Sequence, residues 1–400
     1  MSSVSLGESA DRSRFGRIPR FGLFTEDHDA LRATVRDWVA HELRPHADEW
    51  ERTGEFPVRS VMREAGGLGL FGAKYGEGDG GTGPDLVADA VITEELARCG
   101  SGGVVAALGA HKDLGPYYVG RFGTEEQRGR WLVPAVQGEW IGALAVTEPG
   151  AGTDVGGITT RAERSDDGGW TLTGEKAFIT NGSIADYAVV AAKTDPAAGN
   201  RGITLFVVDS NLEGYSSTRM STVGWRTSHT GEIRLDGVRV GDDARLGEVN
   251  EGFVCIMRNF QWERLSMALG AVAGAEETLR LAMAYADDRT AFGRPVSKFQ
   301  VWRHRFADLG TEIEAARSLS YHALRMMVAG EDATREVSMA KWYSNDLAWR
   351  VADEALQVHG GYGYMMEFPV QRAWRDSRLG PIGGGTTEIM KEVIGRLMGL

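Results

Sequence analysis

Two short stretches combine residue types that could hold a flat polar ligand. ALAVTEPGAGTD (143–154) ends a predicted strand in a turn rich in proline and glycine, where threonine hydroxyls and backbone amides can form hydrogen bonds. GEKAFITNG (174–182) places Phe178 two residues before Thr180, so both side chains share one strand face. An aromatic face beside a hydroxyl suits a flat heteroaromatic ring, and an ordinary amphipathic strand is the alternative interpretation.

A third stretch, PIGGGTTEIMKE (381–392), places three glycines directly before a predicted helix. Glycine loses the most conformational freedom on folding, so a run of glycines indicates a tight corner or a close approach of the backbone to a ligand. Thr386 or Thr387 can cap the helix, which Ile389 continues at a spacing of four. A helix N-terminus behind glycines is a ready anion site, whereas a plain loop-to-helix junction is the alternative.

Other motifs that could carry chemistry lack their required context. GEGDGG (76–81) matches G-x-G-x-x-G, but no predicted strand precedes it, so we exclude a dinucleotide-binding Rossmann site. The eight histidines include no pair at metal-ligand spacing with a third ligand nearby, so no metal site is predicted. There is no G-x-S-x-G motif, and neither Cys99 nor Cys255 lies in a recognisable nucleophile setting.

The composition is that of a globular protein, with 42% hydrophobic and 25% charged residues. A net charge of −12 disfavours binding to nucleic acid. Two cysteines provide no disulfide framework and favour a reducing compartment. No apolar run approaches membrane-spanning length, and residues 1–24 read as a mobile tail rather than a signal peptide. We therefore expect a cytoplasmic protein without a membrane partner.

The period of the apolar residues divides the chain into three zones that must position these stretches. Residues 25–141 have a helical period, residues 142–248 a period of two, and residues 249–400 a helical period again. The β-rich runs are WTLTG (170–174), YAVVAAK (187–193), ITLFVVD (203–209) and EIRLDGVRV (232–240). The long helical patterns of the last zone are 252–288, 296–328, 334–359 and 387–398.

Local signals predict several ends of these elements. Thr25 can cap the first helix, and Thr124 with Gln127 forms a capping box for another. The Asp-Gly pairs at 167–168 and 236–237 are hairpin signals.

Five motifs, taken in order, resemble the signatures of the acyl-CoA dehydrogenase family. They are VTEPGAGTD, EKAFITNG, RTAFGRPVSKFQ (289–300), QVHGGYGY (357–364) and IGGGTTEIM (382–390). The similarity covers nearly the whole chain from about residue 25 and includes the helix–β–helix zoning. It implies an α+β fold with an N-terminal helical domain, a middle β-barrel domain and a C-terminal four-helix bundle. It also implies FAD as cofactor and a homo-oligomer, as a dimer of dimers.

By motif position, the resemblance assigns residues to the isoalloxazine of FAD. Val146, Thr147, Phe178 and Thr180 would surround the ring, with Thr180 forming a hydrogen bond near N5. Many relatives have tryptophan at the position of Phe178, and stacking survives that change.

The remaining FAD residues implied by the resemblance lie in the last zone. Those that resemble contacts to the adenosine diphosphate half in a neighbouring subunit are Arg289, Phe292 and Gln300. Those that resemble pyrophosphate contacts are Gln357, Gly360 and Gly361. Those at the start of the last helix are Thr386 and Glu388.

The family reaction removes an α-proton from an acyl thioester while the β-hydrogen leaves as hydride to flavin N5, so it needs a carboxylate base. In one large branch this glutamate matches Gly384, where the present chain has no carboxylate. In the branch of isovaleryl- and long-chain acyl-CoA dehydrogenases the base lies on a long helix, and Glu263 in QWERLSM (261–267) matches it. Glu263 shares an apolar, glycine-lined helix face with Met267, where loss of water would raise its pKa.

The resemblance also implies how substrate is held. The backbone N–H of Gly384 would bind the thioester carbonyl, and Thr153, Arg264 and Gly383 are predicted to be substrate-site residues. Many relatives have tyrosine at the position of Gly383, so its absence leaves room for a branched or bulky acyl group. The small residues of 101–111 would line the pocket.

Several assignments stay open at this point. The acyl group could be carried by CoA or by a carrier protein, and electron-transfer flavoprotein is the electron acceptor that the resemblance implies. A non-catalytic FAD-binding subunit of a hetero-oligomer is the alternative from another class, which Glu263 disfavours. An acyl-CoA oxidase and a DNA-binding relative are disfavoured by chain length and by net charge.

Overall fold

The computed structural model describes residues 22–166 and 168–400, so most of the predicted tail at 1–24 lies outside the described residues. Short helices make up the first zone. They are α1 (Glu26–Trp38), α2 (Ala47–Thr53), α3 (Val58–Gly67), α4 (Leu86–Leu96), α5 (Gly102–Asp113), α6 (Gly115–Phe122), α7 (Glu125–Gln127) and α8 (Val133–Val136). Two π-helical turns, Val39–Leu43 and Arg128–Leu132, extend α1 and α7.

The predicted helix starts of this zone are confirmed by their hydrogen bonds. Thr25 Oγ1 accepts a hydrogen bond from the His28 amide at the start of α1. Thr124 and Gln127 form a capping box in which each side chain accepts from the other residue's amide. Such caps satisfy amides that have no partner inside the helix.

The middle zone contains one eight-stranded sheet. Its strands are β1 (Gly142–Ala145), β2 (Arg161–Arg164), β3 (Trp170–Ile179), β4 (Tyr187–Lys193), β5 (Ile203–Asp209), β6 (Tyr215–Arg219), β7 (Gly231–Val240) and β8 (Arg245–Leu246). The order is β6-β7-β3-β2-β4-β5-β8, and β1 pairs in parallel with β4. Within the described residues no pairing joins β6 to β8, so the hydrogen-bonded sheet is open there rather than a closed ring.

One of the two predicted hairpins is wrong. Asp236 and Gly237 lie inside β7, where the register with β3 slips between the pairs Leu172–Val238 and Gly174–Leu235. Gly237 has φ +68°, so a β-bulge uses the same left-handed glycine that a tight hairpin would need. The other predicted hairpin, at the Asp-Gly pair 167–168, lies between β2 and β3, which are antiparallel neighbours. Asp167 itself lies outside the described residues.

Long helices form the last zone, together with a small hairpin. They are α9 (Gly252–Asp288), α10 (Gln300–Val328), α11 (Thr334–His359), α12 (Pro369–Ser377) and α13 (Thr387–Leu397), and the hairpin strands are β9 (Thr290–Ala291) and β10 (Arg294–Pro295). The predicted start at 296 is wrong, because Val296–Lys298 form a separate 3-10 turn and Phe299 is extended. Helix α12 was not predicted, since PVQRAWRDS is only nine residues long and most of its residues are polar.

Helix α9 is the element that connects the zones. Its first turns, with Ile256, belong to the core cluster of the β-sheet. Its middle, with Trp262 and Leu269, packs with α4 and α10, and its later turns join the cluster between α10 and α11. Helix α9 is therefore held along its length by three successive sets of packing contacts. None of the described helices is both long and apolar enough to cross a membrane.

Candidate active site

The carboxylate of Glu263 on α9 lies beside the glycine loop that precedes α13. A Cβ atom built on Gly384 would lie 3.6 Å from Glu263 Oε1 and 2.5 Å from Met267 Sδ. Gly384 also has φ +63°, a conformation that side chains rarely adopt. The loop therefore requires glycine at 384, and the carboxylate from α9 reaches the place where a side chain at 384 would begin.

Glu263 is held in a setting that favours its neutral form. Its Oε2 atom is buried and has no hydrogen-bond partner among the described residues. The pKa of Glu263 is raised to about 7, mainly by burial and in part by the charge of Asp113, while Arg264 and Lys341 oppose the shift. A carboxyl group with this pKa can exchange a proton near neutral pH.

Two cationic side chains donate hydrogen bonds to backbone carbonyls in and just before the glycine loop (383–385). Arg264 Nε donates to Gly384 O at 3.2 Å. Lys341 Nζ donates to Gly380 O at 2.9 Å and also to Gly385 O. Because the carbonyls are engaged by protein groups, the conformation of the loop is set by the chain itself.

The helix that follows the loop starts as predicted. Thr386 Oγ1 accepts from the Ile389 amide and caps α13, so Thr386 rather than Thr387 is the N-cap. Glu388 is exposed in the first turn, and a hydrogen bond to its own amide lowers its pKa.

The two stretches of the β-sheet zone meet each other. The Ala177 amide donates to Thr147 O at 2.9 Å, and Lys176 Nζ donates to Val146 O at 3.0 Å. Phe260, one turn before Glu263, packs against the core cluster that contains Val146. The turn with Val146 and Thr147 is therefore tied to the strand that carries Phe178.

Phe178 is an exposed aromatic residue between two buried residues of β3. It is 62% exposed and has φ +61°, whereas Ala177 and Ile179 are buried and Thr180 is half-buried. The strand register slips between Lys176 and Ile179, which allows the strained backbone at Phe178. An aromatic ring held in this way beside a threonine leaves one face free for a flat ligand.

Sequence reasoning missed the ion pair that supports this turn. Glu148 Oε1 accepts from Lys176 Nζ at 2.8 Å and from the Thr160 amide at 2.9 Å, and Oε2 accepts from Thr159. Burial raises the pKa of Glu148, but Lys176 and these hydrogen bonds outweigh it and hold the pKa at about 2. Both residues lie within the quoted motifs, and only their separation in sequence concealed the pair.

The other predicted FAD residues form a second group at the far end of α9. Arg289 caps the C-terminus of this helix, 26 residues after Glu263 and so about 39 Å along its axis. Phe292 stands at the tip of the β9–β10 hairpin, 97% exposed with φ +50°. Gln300 begins α10. This group is not part of the Glu263 site of the same chain.

The glycines at the end of α11 join this second group. Tyr285 on α9 stacks on His359 with ring centroids 4.0 Å apart, which places Gln357, Gly360 and Gly361 next to the end of α9. Gly360 has φ +59°, and a Cβ atom on either glycine would meet nothing within 4 Å. Thr153 is exposed in the turn after β1. The predicted residues therefore divide between two places on one chain.

Three family models match consecutive parts of the chain. The N-terminal domain of acyl-CoA dehydrogenases matches residues 25–139, the middle domain residues 143–238 and the C-terminal domain residues 250–399. The chain belongs to the acyl-CoA dehydrogenase family. The prediction of the family, of its fold and of its enzyme class is confirmed.

Several known proteins are similar to this chain over most of their length. A 3-(aryl)acrylate reductase of Clostridium sporogenes is 38% identical, with 93% of this chain and 98% of that protein covered. The mitochondrial long-chain specific acyl-CoA dehydrogenase of Mus musculus is 38% identical, covering 94% and 87%. The structure of butyryl-CoA dehydrogenase from Megasphaera elsdenii superposes with a TM-score of 0.91 at 36% identity, covering 94% and 99%.

Acyl-CoA dehydrogenases are FAD flavoproteins, and the residues of this chain fit that cofactor. The exposed ring of Phe178 offers a flat face. Hydrogen-bonding groups are offered by Thr180 and by the turn with Val146 and Thr147, which is hydrogen-bonded to the same strand. In the described residues no cluster of His, Cys, Asp or Glu is arranged to hold a metal ion.

Proposed function

We propose that this acyl-CoA dehydrogenase removes hydrogens from the α and β carbons of an acyl-CoA thioester, with Glu263 as the base that takes the α-proton. The observation that carries the proposal is the 3.6 Å distance between Glu263 Oε1 and the Cβ position of Gly384. By resemblance, one branch of the family places its base at the position of Gly384. Here a carboxylate from α9 reaches the same place.

The chain supplies acid–base chemistry and orientation. When bound, FAD supplies the acceptor for the β-hydride. Glu263, with its pKa raised to about 7, ionises close to neutral pH and yet binds the α-proton once it has been abstracted. Because its Oε2 has no partner within the described residues, the carboxylate is free to point at a substrate carbon.

The glycine loop contributes a hydrogen-bond donor for the thioester oxygen. The Gly384 amide donates to no acceptor within the described residues. Arg264 donates to the carbonyl of the same residue, which fixes the peptide plane between Gly384 and Gly385. A fixed donor aimed at a developing enolate oxygen contributes about 3 kcal/mol to such reactions.

The acyl group is proposed to be branched or bulky. Gly383 has no side chain, and a Cβ atom there would find its nearest neighbours, Leu379 and Met267, only at 3.8 Å. A larger side chain at 383 would fill volume that glycine leaves to the substrate. The exposed Thr153 and the cationic Arg264 are proposed to contact the substrate at the edge of the site.

The partners of the enzyme are proposed from the resemblance and from the surface. Electron-transfer flavoprotein is the proposed acceptor of the electrons. Phe292 at its exposed hairpin tip, far from Glu263 along α9, agrees with a contribution to the cofactor site of a neighbouring subunit. A homo-oligomer built as a dimer of dimers would supply that neighbour.

The reverse reaction is a second candidate, which the similarity to a 3-(aryl)acrylate reductase favours. A reduction would use Glu263 in its protonated form to deliver a proton to the α carbon. The same residues would serve, so the direction depends on the electron partner and the substrate.

Anaerobic titration of the purified yellow protein with a panel of thioesters tests the proposal. We expect the flavin absorbance to bleach with at least one acyl-CoA and branched thioesters to bleach it faster than straight-chain ones. Parallel titrations with carrier-protein thioesters decide between the two carriers, and bleaching by the protein purified alone excludes a non-catalytic subunit. Flavin that stays oxidised with every thioester would refute the dehydrogenase proposal.

A further inference from the structure

Four charged side chains are buried together where α4, α5 and α9 meet. Lys74 and Lys112 each donate to Asp89 Oδ2, at 2.9 and 2.6 Å, and to Asp113 Oδ1, at 2.6 and 2.8 Å. All four residues are less than 10% exposed. Burying charges is costly even when they are paired, and replacing buried ion pairs by apolar residues of similar volume is often neutral or stabilising. The contacts of the cluster with α9 are therefore a better guide to its role than stability is.

Asp113 is the member of this cluster that contacts α9. Its Oδ1 accepts from Trp262 Nε1 at 2.8 Å, and its Oδ2 accepts from Ser266 Oγ at 2.7 Å. Its backbone carbonyl accepts from Asn259 Nδ2 at 3.4 Å. Residues at this spacing occupy one face of a helix, so one aspartate holds α9 at three points over two turns. Glu263 follows Trp262 directly.

Charged and titratable groups face Glu263 from several elements. Asp113 on α5 favours its neutral form, and Arg264 and Lys341, on α9 and α11, favour its ionised form. Tyr118 on α6 also senses the charge of Glu263. Asp113 is the one carboxylate among these groups, and it is also the group that fixes the helix carrying Glu263.

We propose that Asp113 is a positioning residue for Glu263: it fixes the rotation of α9 through Trp262 and Ser266 and places a second negative charge near the base. This inference rests on the proposed function, in which Glu263 takes the α-proton. Lys74 and Lys112 neutralise the cluster as a whole, so that Asp113 remains ionised in the interior. Asp113 touches neither substrate nor cofactor in this scheme.

The test compares Asp113→Asn with wild type in flavin reduction at a series of pH values. The amide still accepts one hydrogen bond but leaves the two lysines with a single carboxylate. We expect kcat to fall about 10-fold to 100-fold with little change in KM, as a misplaced catalytic group causes. The acid limb of the pH–rate profile should shift its midpoint to lower pH by about one unit. The substitution removes an anion near the base and leaves the positive charges of the two lysines only partly compensated.

Two further variants separate positioning from general damage to the fold. Asp376→Asn is the matched control, because Asp376 is a half-buried carboxylate on α12 that accepts from the amides of Trp225 and Gly102 and, among the described residues, from no residue of α9. It should leave the pH midpoint of flavin reduction unchanged. Ser266→Ala removes one hydrogen bond to Asp113 and keeps the charge, so kcat should fall about threefold to tenfold with the midpoint unmoved. This variant decides the question if Asp113→Asn does not fold.

A second measurement does not depend on turnover. Infrared difference spectra between each protein and its Glu263→Gln counterpart follow the carbonyl stretch of protonated Glu263 and give its midpoint directly. If none of the thioesters reduces the flavin of the wild type, the proposed function fails. The infrared midpoint of Glu263 still tests the role of Asp113 in that case. An unchanged midpoint in Asp113→Asn, or an equal shift in Asp376→Asn, would overturn the inference.

Discussion

At the scale of single residues, the site depends on which positions lack a side chain. Gly384 and Glu263 are distant in sequence, yet the carboxylate ends where a side chain at 384 would begin. A Cβ atom at the neighbouring Gly383 would make only ordinary van der Waals contacts, at 3.8 Å, so the two glycines have different roles. One is required by backbone conformation and by Met267, and the other leaves room for the acyl group.

Substituting alanine at each glycine tests this distinction. Gly384→Ala would place a methyl group 2.5 Å from Met267 Sδ at φ +63°, so we expect a loss of about 1–3 kcal/mol in the free energy of unfolding and a large fall in kcat. Gly383→Ala is the matched control, with no neighbour closer than 3.8 Å. It should fold normally and shift preference from branched to straight acyl groups. Equal Tm and equal kcat for both variants would refute the assigned roles.

At the scale of elements, α9 carries a carboxylate that folding disfavours in its charged form. The folded pKa of Glu263, about 7, lies above its ordinary value of 4.5. A group with a raised folded pKa stabilises the native state fully below pH 4.5, and this contribution is lost as the pH rises through 7. The packing of α9 on all three zones must offset that cost at the pH at which the base works.

Glu263→Gln should therefore be more stable than wild type at alkaline pH. The amide resembles the neutral acid, so its advantage should grow between pH 4.5 and 7 and reach as much as about 3 kcal/mol above it. Thermal unfolding of the two FAD-loaded proteins at pH 5 and pH 8 checks the sign. Glu251→Gln, on the exposed residue before α9, should show no such pH-dependent difference. A wild type that gains stability over Glu263→Gln as the pH rises would contradict the desolvated setting of the base.

At the scale of the whole molecule, the sequence predicted those features that local patterns encode. YAVVAAK and ITLFVVD form β4 and β5 with the predicted bounds, because a fully buried strand is a continuous run of apolar residues. The helix caps at Thr25, Thr124 and Thr386 could also be predicted from sequence, since each cap depends on atoms within a few residues. The motif order gave the family, and three family models confirm it.

Features that depend on distant residues could not be predicted in this way. The arginine-rich α12 is only nine residues long, and its arginines pair with partners in another zone, such as Glu51 and Asp48. The Asp236-Gly237 pair is a bulge because β3 lies opposite. No motif predicted the cluster of Asp113 with its two lysines, because the contacts of Asp113 with α9 span about 150 positions of sequence. The domain boundaries at 141/142 and 248/249 stay a prediction.

The measurement that tests the central claim most directly is substrate-dependent bleaching of Glu263→Gln. With a thioester that bleaches the wild type, we expect the variant to bind FAD normally and to leave its flavin oxidised, with a rate at least about 1,000-fold lower because the α-proton has no acceptor. Glu251→Gln serves as the control and should bleach like wild type. Full bleaching of Glu263→Gln at the wild-type rate would show that the base lies elsewhere.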